Sequence, residues 1–250
     1  MIKLFNKIRK QMLDQNKMGR YLKYAIGEII LVMIAILLAL QVNTWNNNRE
    51  LKKEEQKILK SLLGEFKENF EKFDNAYKFH QSRKKGIHYS MSTDLKPLSA
   101  DSLISILRIV NGNYTFDPFQ GIYNSVINSG KIELISNDTL KSKIARLQDL
   151  IRDYQEEELG TREHSIQNLY PYEISQPLVS FRYVNGDGNY EDDASEIKQN
   201  LLKFFESQQY NNIINQLNGW MRAIFEEGAI LREELVSIIN LLEEEIEKHE

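Results

Sequence analysis

Cysteine is absent from the 250 residues, and proline and histidine occur only four times each. Without a thiol there is no disulfide framework, no thiolate nucleophile and no Cys-ligated zinc. His80, His88, His164 and His249 are scattered, with no i, i+4 pair to hold zinc on one helix face. There is no G-x-S-x-G elbow and no glycine-rich loop placed to cradle phosphate. Carboxylates are plentiful, yet nothing in their spacing singles out an acid/base pair. The sequence therefore leans away from an enzyme and carries no signal for a cofactor or a resident metal. A basic stripe is missing as well. Seven of the 32 basic and two of the 36 acidic residues lie within positions 1–42, leaving 25 basic against 34 acidic residues and a net charge near −9 for the remainder. Such a surface argues against nucleic acid as a partner.

What the chain does have is one long apolar run, YAIGEIILVMIAILLALQVNTWNNN, from Tyr24 to Asn48. No polar side chain occurs from Ile29 to Leu40, and between Ala25 and Val42 only Glu28 and Gln41 interrupt the run. A helix from Tyr24 to Trp45 rises about 31 Å, close to the hydrocarbon thickness of a bilayer. Tyr21 and Tyr24 at one end and Trp45 at the other suit the two headgroup belts. A buried core helix would need apolar partners on every side, and no other segment supplies them. A cleaved signal peptide is disfavoured by the length of the run, by the spacing of Ala35 and Ala39, and by Glu28. The expected organisation is a basic tail over residues 1–20, a transmembrane helix over 21–45, and an extracytoplasmic domain over 46–250. The tail carries Lys3, Lys7, Arg9, Lys10, Lys17, Arg20 and Lys23 against Asp14 alone, which favours a cytoplasmic N-terminus.

In the tail, Ile2, Phe5, Ile8, Met12 and Leu13 fall at helical spacing, with Lys3, Lys7 and Lys10 off that stripe. A short basic amphipathic helix of this kind lies on anionic lipid headgroups, each cation adding on the order of 1 kcal/mol. The alternative is that these cations only set topology. In either case some 24 residues are too few for a cytoplasmic enzyme, so an inward signal has to pass through a partner. The opening MIKLFNKIRK followed by YAIGEIILVMIAILLALQVNTWN resembles an uncharacterised family of Bacteroidota inner-membrane proteins, a domain of unknown function. The resemblance is sharpest over positions 1–49. This chain departs from the family pattern at Ala35, where glycine is common, and near Asn47, where glutamate is common. It implies a single-span inner-membrane protein with a periplasmic domain, and no known activity or site residues.

On a helix, Ala35 and Ala39 lie within about 20° of Glu28, so one face reads carboxylate, small, small. Such a face suits docking of a partner transmembrane helix, either a second copy or another subunit. The competing reading is that Glu28 snorkels to the cytoplasmic interface near the positive end of the helix dipole. A short basic tail, one span with an acid and a periplasmic domain is also the layout of proton-coupled stator subunits, in which Glu28 would titrate.

Beyond the span the pattern is helical throughout, which makes the fold class mainly α. Leu59, Leu62, Phe66, Phe70, Phe73 and Tyr77 form a stripe in a helix expected over 49–85, with a bend at the Asn-rich 43–48. A loop is expected over 86–100, then short helices over 101–110 and 119–128, with Gly130 as a helix C-cap. A third long helix is expected over 140–169, capped by Asn137 or Asp138 and closed by Pro171 and Pro177. Its stripe is Leu140, Ile144, Leu147, Ile151 and Tyr154. Asp101-Ser102-Leu103 and Asp138-Thr139-Leu140 also look like periplasmic O-glycosylation acceptors, with capping the preferred reading. Leu178 to Val184 suits a short strand. Asn185, Asp187, Asn189, Glu191, Asp193 and Glu196 fall in a calcium-loop register that lacks its first Asp and its glycine, so a solvated acidic turn is preferred.

From Ser195 onward, Tyr210, Ile214, Leu217, Met221, Ile224, Gly228, Leu231, Leu235, Ile238 and Leu242 alternate four and three, as in a coiled-coil seam. With the helices beginning at Arg49 and Leu140, this makes an antiparallel helical bundle. The functional expectation is a membrane-anchored scaffold or accessory subunit, as a homo-oligomer or beside a partner span. The alternatives are a ligand-sensing co-receptor and a stator-like subunit that uses Glu28.

Overall fold

The computed structural model describes residues 18–178 and 194–248. These residues are mainly helical, and no strand occurs among them. The helices are α1 (Met18–Ser92), α2 (Ala100–Asn111), α3 (Gly121–Asn128), α4 (Asp138–His164), α5 (Tyr170–Ile174), α6 (Ala194–Glu206) and α7 (Gln208–Glu247). A 3₁₀ turn, Lys131–Leu134, precedes α4, and a π-helical turn, Ser165–Leu169, joins α4 to α5. The chain divides into two units, Met1–Gln56 and Lys57–Glu250, and α1 supplies residues to both.

In the first unit, the large apolar side chains from Leu22 to Val42 are all exposed, between 45% for Ile30 and 66% for Leu31. By length and composition this part of α1 is apolar enough to cross a membrane. Residues 43–48, where a bend was expected, lie inside the continuous helix. Asparagine costs a helix only a few tenths of a kcal/mol per residue, and the flanking Leu-rich and Lys/Glu-rich stretches outweigh it.

In the second unit, α1, α4 and α7 share a core. Leu59, Leu62, Phe66 and Phe73 of α1, Leu140, Ile144, Leu147, Ile151 and Tyr154 of α4, and Ile224, Leu231, Leu235, Ile238 and Leu242 of α7 are buried together. Phe70 and Tyr77 are only partly buried against it. All ten seam positions of α7 are buried. The start of α4 meets the end of α7, where Asn137 Nδ2 donates to Glu245 Oε1 at 2.8 Å, so these two helices are antiparallel. By contrast α1 and α4 run in the same direction. The chain returns between them through α2, the extended loop 112–120 and α3, and this irregular limb takes the fourth place in the bundle.

A second core lies further along α1. Ile87, Leu103, Ile106, Leu107, Val110, Leu169, Tyr172, Leu201, Phe204, Tyr210, Ile214 and Leu217 are buried in it. It is reached because α1 runs to Ser92, past the expected loop start at Gly86. Gly86 is no terminator: a Cβ there would stand 2.6 Å from Cγ2 of Ile109, so the glycine lets α2 cross closely. The helix ends instead at the turn in which Asp94 Oδ1 accepts from Lys96 N at 3.1 Å.

Three side chains set helix starts. Ser99 accepts from Ser102 N at 3.2 Å, Asn137 from Leu140 N at 3.0 Å, and Ser207 from Tyr210 N at 3.1 Å. The caps are therefore Ser99 and Asn137, and Asp101 and Asp138 fall in the first turns that follow. Ser207 also divides the closing segment into α6 and α7. Gly130 has φ +72°, as a C-cap residue requires. Pro171 does not close the preceding helix. The π turn widens the backbone just ahead of it, so the ring is accommodated and the chain stays helical to Ile174. Leu178 is buried and not in a strand, and the rest of the expected strand, with positions 185–193 of the calcium-loop register, lies outside the described residues.

Candidate functional site

Between the two cores the seams of α1 and α4 turn polar. After Tyr77 the stripe of α1 continues with His80, then Arg83, before returning to Ile87. That of α4 continues from Tyr154 with Glu158, Thr161 and Ser165 before reaching Leu169. These polar side chains are buried, with Glu158 and His80 each 2% exposed and Arg83 1%.

Glu158 uses both oxygens. Its Oε1 lies 2.8 Å from His80 Nε2, and its Oε2 accepts the Phe116 backbone N–H at 2.8 Å. With Glu158 ionised, His80 carries a proton on Nε2, and its Nδ1 has no partner. Arg83 donates from Nε to the Val110 carbonyl and from Nη2 to Ser165 Oγ, both at 2.8 Å. Ser165 passes its own proton to the Thr161 carbonyl at 3.1 Å. Burial pushes the Arg83 pKa down to about 10, which leaves the guanidinium charged at neutral pH. Burial raises the pKa of Tyr154, and the charge of Glu158 one turn away raises it further. His164 is satisfied differently: its Nε2 is 3.0 Å from the Ile213 carbonyl and its Nδ1 3.3 Å from Asn168 Nδ2.

The same helices grip the extended loop by its backbone. Gln155 Nε2 donates to the Phe116 carbonyl at 2.9 Å. Asn69 binds both backbone groups of Phe119, accepting its N–H at 2.7 Å and donating to its carbonyl at 2.8 Å. Lys72 donates to the Asp117 carbonyl at 3.0 Å and lies 3.5 Å from the centroid of the Phe119 ring. Glu65 accepts from Ile122 N at 2.7 Å and Tyr123 N at 2.8 Å, supplying from another helix the N-terminal acceptor that α3 lacks. The arrangement couples α1, α4 and the loop into one hydrogen-bonded layer.

The residues singled out from sequence lie elsewhere. Glu28 is half-buried, while Ala35 and Ala39 on the same face of α1 are exposed. Tyr24 and Trp45 are 63% and 64% exposed. Tyr21 lies within α1, but its side chain is outside the described residues, as are Lys3, Lys7 and Lys10. Among the described residues, no group of three or more His, Asp or Glu side chains is arranged to hold a metal. The polar layer went unread although a signal was present, since His80 and Glu158 occupy the next seam positions after Tyr77 and Tyr154.

The sequence pattern of a family of unknown function (DUF6090) matches residues 28–159, and the chain belongs to that family. The matched stretch contains Glu65, Asn69, His80, Arg83 and Glu158. No curated protein and no solved structure matches the chain.

Proposed function

We propose that this DUF6090 member is a single-span inner-membrane protein that holds its helical bundle on the periplasmic side and acts there as a scaffold or accessory subunit, by binding rather than catalysis. The observation that carries this reading is the contrast within one chain: the seams of α4 and α7 are buried, while the run from Leu22 to Val42 is apolar on every face and exposed. Only a bilayer covers such a surface all round. The charge bias of the tail favours a cytoplasmic N-terminus. Tyr21, Tyr24 and Trp45 then anchor the two interfaces, and Lys3, Lys7 and Lys10 face anionic lipid. The Glu28, Ala35, Ala39 face is where a partner span or a second copy docks.

The absence of cysteine makes the test direct. Single variants Lys3→Cys and Ser102→Cys, the latter at an exposed position, are treated in intact cells with a membrane-impermeant maleimide. Ser102→Cys is expected to label, and Lys3→Cys only after permeabilisation; the reverse pattern would overturn the orientation. Recovery in the soluble fraction would overturn the anchor itself.

A ligand-responsive co-receptor is the second reading, favoured by the polar layer. Buried polar groups between two apolar cores allow two packings of similar energy more readily than a continuous apolar seam does.

A further inference from the structure

On the outer side of α4 and α7, Glu157, Gln216, Gly219, Trp220 and Ala223 line an open groove of about 360 Å³. Trp220 is 47% exposed. Its indole lies close against Gly160, where a Cβ would stand 3.2 and 3.3 Å from Cζ3 and Cε3, a tight approach that the glycine relieves. Gly219 and Ala223 keep the floor low enough for a partner's backbone to approach. A fixed, half-exposed tryptophan beside small residues is the usual anatomy of a binding hot spot.

Charge decides what fits. Further along the same pair of helices, Glu234 is neutralised by Lys143 at 2.7 Å and Arg146 at 3.4 Å. Glu157 lines the groove and Glu227 stands one helical turn beyond Ala223 on α7; neither has an ion-pair partner among the described residues. The pKa of Glu157 is raised by burial first, then by the neighbouring charges of Glu227 and Glu156. A second copy of the chain would bring the same carboxylates face to face, which repels.

We infer that this groove receives a basic, apolar-faced helix of a partner protein, with a lysine or arginine lying over Trp220 and facing Glu157 and Glu227. The cation gains the aromatic face and the two carboxylates together, and its helix covers Gly219 and Ala223. This goes beyond the anchored-scaffold reading and does not depend on which side of the membrane the bundle faces.

Trp45 and Trp220 are the chain's two tryptophans, so Trp45→Phe makes Trp220 the sole reporter. The full chain is placed in zwitterionic lipid nanodiscs and titrated with a synthetic leucine/lysine helix, a leucine/glutamate helix of equal length, and the basic helix in high salt. The basic helix is expected to shift Trp220 emission saturably. Glu157→Gln with Glu227→Gln, both surface changes that leave the cores intact, is expected to weaken it about tenfold. High salt is expected to weaken it similarly. No shift, an equal shift with the acidic helix, or indifference to the double variant would overturn the inference. Emission that depends on protein concentration without peptide would assign the groove to a second copy and overturn it too.

Discussion

The core around Leu59, Phe73, Leu147 and Leu235 and the core around Leu103, Leu201 and Leu217 belong to one unit and draw on the same α1 and α7, yet they are assembled by different means. The first is three long apolar seams laid together, each with the three-and-four spacing that a helix requires of a buried face. The second is gathered from the far end of α1, the short helices α2, α5 and α6, the π turn and the first turns of α7. Ring contacts, which the first core also has around Phe73, here join short helices: Phe204 lies 5.2 Å from Tyr172 and 4.9 Å from Tyr210, and Phe205 5.2 Å from Tyr210, centroid to centroid. Periodicity builds the first, and the fit of large side chains at helix ends builds the second. Between them the buried polar layer interrupts both modes of packing.

The largest expected effect tests whether the two cores are separable. Leu231→Ala in the first and Leu201→Ala in the second each remove a fully buried side chain and should cost about 2–5 kcal/mol. They should differ in where the damage shows. Hydrogen exchange in the Leu201→Ala variant should rise in α2 and α6 while the α4–α7 seam stays protected, because short helices open locally at lower cost. Leu231→Ala should raise exchange throughout. A uniform rise in both variants would mean one cooperative core and no useful distinction.

Next in size is Glu158→Gln, which attacks the layer between the cores. The amide oxygen keeps the Phe116 N–H, but the amide nitrogen cannot accept from His80. His80 must then move its proton to Nδ1, where no acceptor waits. A destabilisation of about 1–3 kcal/mol is expected in denaturant unfolding, with faster exchange at Phe116. Unchanged stability would show that the layer holds the cores apart without joining them.

The same comparison explains what could be read from sequence. The seam of α7 was legible to the last residue because ten positions from Tyr210 to Leu242 keep one period. The stripes of α1 and α4 were legible as far as Tyr77 and Tyr154 and lost where polar residues took over the same register, since an apolar count stops at the first His or Glu. The second core was not legible. Gly86 and Pro171 read as helix breakers, whereas one admits a crossing helix and the other follows a π turn. Both are tertiary accommodations, and no local propensity contains them. The clamp on loop 112–120 was equally hidden, because Glu65, Asn69 and Lys72 look like any solvated helix face until the loop is laid against them.

The smallest effect lies at the edge of the second core and concerns pH. Glu173 of α5 is bonded to the amide of Asn111, and its pKa is raised, burial being the larger influence and the Asn111 hydrogen bond opposing it. A carboxyl whose pKa is higher folded than unfolded binds its proton more tightly in the native state. Its stabilisation is therefore complete below the ordinary value of 4.5 and is lost as pH rises through the elevated one. Glutamine imitates the protonated form without titrating. Glu173→Gln should match the parent near pH 4 and melt slightly higher at pH 7, on the order of 1–2 °C because solvent screens a half-exposed group. Leu231→Ala removes no titratable group, so it should show the parent's pH profile displaced as a whole. A Glu173→Gln variant that matched the parent near pH 4 but melted lower than it at pH 7 would mean that Asn111 stabilises the charged carboxylate more than burial opposes it.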